Sequence, residues 1–156
     1  MNTNPSETTK AVDIETKIIL VKSQPLFKSL FDSEILELAE LFTEKTLMPG
    51  ENIVAKGDPV DSIYLIVSGK AEVLDSYVED NQIKWRVVAA LGANDAIGLS
   101  EVGLYSLSGK RTATVTAVTD MVLLRLAVTL FHGIALANSH IGDVMRQAKK
   151  KRENKI

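Results

Sequence analysis

The chain has 156 residues, with 20 acidic against 18 basic side chains and a formal net charge of −2. That is length enough for one domain with a substantial core, and the balance of charge gives no general attraction to nucleic acid. The absence of cysteine excludes disulfides, thiolate catalysis and cysteine-ligated metal, and no stretch approaches the roughly 20 apolar residues of a membrane span.

Residues 1 to about 14 are polar and without apolar periodicity, and they read as a mobile arm ahead of a single domain over 15–156. The start lacks the basic residues and apolar stretch of a secretory signal, so a cytoplasmic setting is expected. The segment DSEILELAELF places Ile35, Leu38, Ala39 and Phe42 on one helical face, with Asp32 or Ser33 as the N-cap and a helical turn before it around PLFKSL. The period then switches. In MPGENIVAKGDP, the breakers Pro49-Gly50 and Gly57-Asp58-Pro59 bracket a short strand. SIYLIVSG is a dense β-branched and aromatic run ended by Gly69, the mark of a well-buried strand. KAEVLDSYV and IKWRVVAALG, joined through EDNQ, form a long hairpin. TATVTAV and DMVLLRL read as a second pair about a turn at Thr119-Asp120.

The helical period returns in VTLFHGIALANSH and IGDVMRQAKKKRENK, divided near Asn138-Ser139. Gly133 and Gly142 weaken both helices, each by about 1 kcal/mol against alanine in a helix interior. No internal repeat is visible. The expected class is mainly β with flanking helices: a jelly-roll over about 43–126, an N-terminal helix, and two C-terminal helices over about 128–153.

The segment PLFKSLFDSEILELAELFTEKTLMPGENIVAKGDPVDSIYLIVSGKAEV resembles the first half of cyclic nucleotide-binding domains, such as those of the bacterial catabolite activator and of the regulatory regions of protein kinases A and G. The likeness lies in the breakers Gly50, Gly57 and Gly69 and in the strand YLIVSG. EVGLYSLSGKRTATV then resembles the family's phosphate-binding cassette, and the likeness runs in family order from about Pro25 to Phe131. The family pattern is a Gly-Glu pair, then small and apolar residues, then Arg, a small residue and Ala. Two registers fit it. In the first, Gly98 is the cassette glycine, Leu99 replaces the glutamate, and Arg111 follows 13 residues later. In the second, which we favour, Glu101 is the carboxylate, Ser100 replaces the glycine, and Arg111 follows 10 residues on, after a small insertion around GANDAIG. Val102 and Leu104 then fall on the family's apolar positions.

The resemblance implies a pocket for cAMP or cGMP formed by Ser100, Glu101, Val102, Gly103, Arg111, Thr112 and Ala113, with no cofactor and no metal. A planar, permanently charged guanidinium suits a phosphodiester, and Arg111 shares parity with Ala113, Val115 and Ala117, the apolar side of the strand. Glu101 can accept from a ribose 2′-hydroxyl, and a helical turn at SEVGLY would aim N–H groups at the phosphate, with the Ser100 hydroxyl beside them. Taken without the resemblance, Arg111 and Glu101 are ordinary exposed residues. Thr112 stands where some eukaryotic members carry a threonine associated with guanine recognition; it is equally a good strand residue.

The two C-terminal helices resemble the family's hinge and lid, with Val144 and Met145 as candidates for the capping face. The tail KKKRENK is either a solvated helix end or a contact for an acidic partner. The only histidines, His132 and His140, fall in this helical tail, which argues against a metal-dependent enzyme with ligands on facing strands. No helix-turn-helix pattern follows the roll, so direct DNA binding is not expected. The expectation is a non-enzymatic cyclic-nucleotide sensor that signals to a protein effector, with a homodimer left open. The alternative is the same fold with an idle pocket, serving interaction or dimerisation.

Overall fold

The computed structural model describes residues 12–99 and 109–153. Helix α1 (Ile14–Lys22) starts on Asp13, whose carboxylate accepts the Thr16 N–H at 2.8 Å. Helical structure therefore begins inside the segment read as an arm, and Val12 already packs against the helical core. The helix, IETKIILVK, buries only Leu20 and Val21. A 3-10 turn at Pro25–Phe27 leads to α2 (Asp32–Leu41). Ile35, Leu38, Ala39 and Phe42 are all buried, as their spacing requires. The cap lies one residue earlier than Asp32: the Glu34 carboxylate folds back to accept the Phe31 N–H at 2.8 Å.

Eight strands follow among the described residues: β1 (Thr43–Leu47), β2 (Asn52–Val54), β3 (Ser62–Ser68), β4 (Ala71–Glu79), β5 (Gln82–Leu91), β6 (Ala96–Ile97), β7 (Thr114–Ala117) and β8 (Met121–Ala127). They form two four-stranded antiparallel sheets, ordered β1-β8-β3-β6 and β2-β7-β4-β5. The architecture is a jelly-roll with flanking helices. β1 left no clear mark in the sequence because TEKTL is polar and buries only Leu47; its ladder to β8, from Thr43↔Arg125 to Leu47↔Met121, is a long-range pairing. The β4–β5 hairpin turns on Asp80 and Asn81, both at positive φ (54° and 61°), the mirror-image turn whose twist suits a two-residue hairpin.

β7 and β8 do not pair with each other, against the expectation of a second hairpin. β7 lies between β2 and β4, whereas β8 lies between β1 and β3 in the opposite sheet. Residues 118–120 cross the corner of the roll, where the Lys70 carbonyl accepts the Val118 N–H at 2.8 Å. Val115 and Ala117 meet Met121 and Leu123 in one cluster. Alternating apolar residues look the same whether two strands share a ladder or face each other across an interior.

β3 is apolar on both faces because it is buried on both. Tyr64 and Ile66 point into the roll with Leu47, Ile97 and Leu123. Ile63 and Leu65 point outward into a second cluster, where α1, α2 and the C-terminal helices contribute Leu20, Phe27, Leu38 and Phe131. Helices α3 (Val128–Ala137) and α4 (Ser139–Glu153) meet at Asn138, whose side-chain oxygen accepts the N–H groups of His140 (3.0 Å) and Ile141 (3.2 Å). Among the described residues no helix is long and apolar enough to cross a membrane.

Gly69 closes the β3–β4 turn at φ +100°, and a Cβ there would strike the Asp120 carbonyl oxygen and lie 2.7 Å from Met121 Cγ. Gly69→Ala is expected to lower unfolding stability by about 3 kcal/mol, from the left-handed backbone together with the clash, read as a reduced denaturation midpoint.

Candidate functional site

The site grows from the turn Gly57-Asp58, to which the chain entering β7 is stitched. The Arg111 N–H donates to the Asp58 carbonyl at 2.7 Å, the Gly57 N–H donates to the Arg111 carbonyl at 2.9 Å, and Lys110 bridges Pro59. These bonds fix the Arg111 backbone before regular strand begins at Thr114. Residues 112–113 are a bend, so the inward direction of Arg111 does not come from strand alternation alone. Its side chain is nonetheless buried, only 6% exposed, and Nη2 donates to the Ser62 carbonyl at 2.6 Å. A guanidinium taken out of water needs acceptors in fixed positions, and a backbone carbonyl at the start of β3 is one.

Gly98 makes room for this arrangement. It sits at φ +88°, and a Cβ there would lie 2.7 Å from Arg111 Nη1 and 3.3 Å from the Ser62 carbonyl oxygen. Arg111 and Gly98 share a cavity with Thr112 and Ala113, walled by the apolar side chains of Val54, Val73, Leu91, Ile97 and Val115. Thr112 is exposed at its edge and Ala113 is half-buried. Beside the cavity, the Lys56 N–H donates to Thr114 Oγ1 at 3.0 Å, and its ammonium donates to Asp75 at 2.8 Å. That hydrogen bond holds the Asp75 carboxyl below its ordinary range, so the two exposed charges offset each other. A permanently charged planar donor at an apolar wall is chemically a receptor for a small anion carrying an uncharged body.

Of the predicted site residues, the structure brings Arg111, Thr112 and Ala113 together; Ser100, Glu101, Val102 and Gly103 lie outside the described residues. Gly98, the cassette glycine of the register we did not favour, proves to be part of the site. Ser62 was missed because it acts through its backbone, which leaves no trace in residue type. Val54, Val73 and Leu91 were visible only as strand residues. Val144 and Met145 do not line this cavity: Met145 is buried among the helices, with Val144 packed partly buried beside it.

The sequence profile of the cyclic nucleotide-binding domain family matches residues 44–138. The cyclic AMP receptor protein of Thermus thermophilus is 33% identical over 107 residues, covering 68% of this chain and 46% of that protein. Among solved structures, the N-terminal domain of a transcriptional regulator from Streptomyces coelicolor A3(2) superposes with a TM-score of 0.75 at 28% identity, over 87% of this chain and 90% of that one. The regulatory domain of Toxoplasma gondii protein kinase A, crystallised with cAMP, gives a TM-score of 0.66 at 25% identity, over 85% of this chain and 46% of that one. The chain spans less than half the length of the curated relatives it matches.

Gly98→Ala tests the packing of the arginine. The added methyl group displaces the guanidinium from Ser62, and the variant is expected to lose about 2 kcal/mol of stability in chemical denaturation, through the positive φ and the close approach together.

Proposed function

Since the chain belongs to the cyclic nucleotide-binding domain family, we propose that it is a regulatory module that holds the cyclic phosphate of cAMP or cGMP on the Arg111 guanidinium. The observation that carries this reading is the buried arginine, directed by Ser62 and Gly98 to an apolar cavity between the sheets. One guanidinium edge is occupied by the Ser62 carbonyl, which fixes the plane of the group in advance, and a phosphodiester is an anion that its planar fork suits. The apolar walls take the sugar and base. Ser100, Glu101, Val102 and Gly103 complete the cassette, with Glu101 accepting from the ribose 2′-hydroxyl. Thr112, at the cavity's edge, is placed to favour guanine. Helix α4 is the lid, its displacement is the signal, and the recipient is a protein effector in the cytoplasm. The module carries out no chemistry on its ligand.

A second reading, an interaction or dimerisation module with an idle cavity, draws on the β4–β5 hairpin. There Val78, Ile83, Trp85 and Val87 are all more than half exposed, and Val78↔Ile83 is a facing pair.

Calorimetric titration with cAMP and with cGMP separates the two readings. The wild-type chain is expected to bind one or both at micromolar concentration or below. Arg111→Ala, checked for folding by its thermal transition, is expected to weaken binding at least about 100-fold, the loss of a charge-assisted contact. Absence of binding by the folded wild type overturns the sensor and leaves the second reading. Thr112→Ala is expected to weaken cGMP about fivefold while sparing cAMP, the scale of one hydrogen bond.

A further inference from the structure

Away from the cavity, one cluster joins helices that lie more than 100 residues apart. The Glu34 side chain, 7% exposed, accepts from the Phe31 N–H at 2.8 Å and meets His140 Nδ1 at 2.7 Å. The His140 ring stacks on Phe31, with centroids 4.1 Å apart and planes inclined by 8°. His140 is the second residue of α4, and its N–H is held by Asn138 at the break between α3 and α4. Directly beyond it, Ile141 and Met145 enter the helical core. The cluster therefore clamps α4 at the point where it leaves α3, on a bed of N-terminal helices, and among the described residues none from α4 lines the Arg111 cavity. For α4 to cover a ligand there, it must leave this bed.

We propose that Glu34, Phe31 and His140 form a protonation-dependent latch that holds α4 away from the Arg111 cavity and thereby lowers the apparent affinity for the nucleotide. The effect on affinity rests on the reading of α4 as the lid; the latch itself does not. A neutral imidazole makes one hydrogen bond to the carboxylate, whereas an imidazolium adds a charge-assisted pair at the same site. Protonation of His140 therefore tightens the latch. Burial raises the Glu34 pKa, but the Phe31 N–H, His140 and Asn138 outweigh it and leave the carboxyl below its ordinary value. A lowered carboxylate contributes its stability above the ordinary value and loses it as pH falls through the lowered one, so the latch reopens only in stronger acid. Two other carboxylates near the junction are paired. Asp143, which shares the cleft beside His140, pairs with Arg146 on α4, and Asp32 at the start of α2 pairs with Lys22 at 3.5 Å. Among the described residues, the facing turn lines that cleft with Pro25, Leu26 and Ser29. A protein whose binding-competent form is a minor fraction shows an affinity reduced by that fraction, which is the means by which the latch acts on the site.

The test is amide hydrogen exchange of the whole chain without nucleotide, expressed as protection over residues 141–148. Wild-type protection is expected to rise about fivefold between about pH 8 and pH 6. Glu34→Gln keeps the shape and removes the charge, so its protection is expected to stay flat over the same range. Phe31→Ala is expected to lower protection at both pH values. A wild-type profile that is flat, or that Glu34→Gln reproduces, overturns the latch. Titration with cAMP at about pH 6 supplies the second arm, in which Glu34→Gln is expected to bind about fivefold more tightly than wild type. Equal affinities overturn the coupling to the site. A wild type that binds neither cAMP nor cGMP overturns the sensor reading instead, and the exchange profile then decides the latch alone.

Discussion

Burial of β3 on both of its faces underlies everything else in this molecule. Its inward residues, Tyr64 and Ile66, make it a wall of the roll; its outward residues, Ile63 and Leu65, make it the floor on which four helices rest. Full burial of a large aliphatic side chain is worth about 1.5–3 kcal/mol, so several such residues on two faces anchor both cores to one strand. Its first residue, Ser62, is also where the strand's backbone holds the Arg111 guanidinium. A strand buried on both faces thus sets the position of a buried charged side chain.

Arg111 shows how an interior arginine is held in place by the backbone around it. The backbone is tied to Asp58 and Gly57, the guanidinium is tied to Ser62, and Gly98 supplies the empty volume that a methyl group would fill. These contacts set the direction of the guanidinium, and a fixed donor loses less entropy on meeting an anion than a mobile one. Membership of the cyclic nucleotide-binding domain family and the direction of this arginine are the two observations on which the proposed function rests.

The same economy governs the helices. Glu34 serves two purposes with one carboxylate, capping α2 through Phe31 and receiving His140 from α4. Asn138, the one residue between α3 and α4, holds the start of α4 beside that pair.

Local chemistry was enough to reveal the helix face of Ile35, Leu38, Ala39 and Phe42, the Asp80-Asn81 hairpin, the dense strand ended by Gly69 and the break at Asn138, because each depends on residues near one another in the chain. Arg111 was singled out by the resemblance of its surroundings to a known cassette, since local chemistry alone reads it as an exposed residue. What local chemistry left open is long-range. β1 exists because β8 pairs with it, and β7 and β8 share a core rather than a ladder. Ser62 matters through a carbonyl that every residue possesses, and Glu34 finds His140 across 106 positions. Periodicity records how much of a side chain is buried, whereas pairing and approach are settled only when distant segments compete for the same hydrogen bonds and the same space.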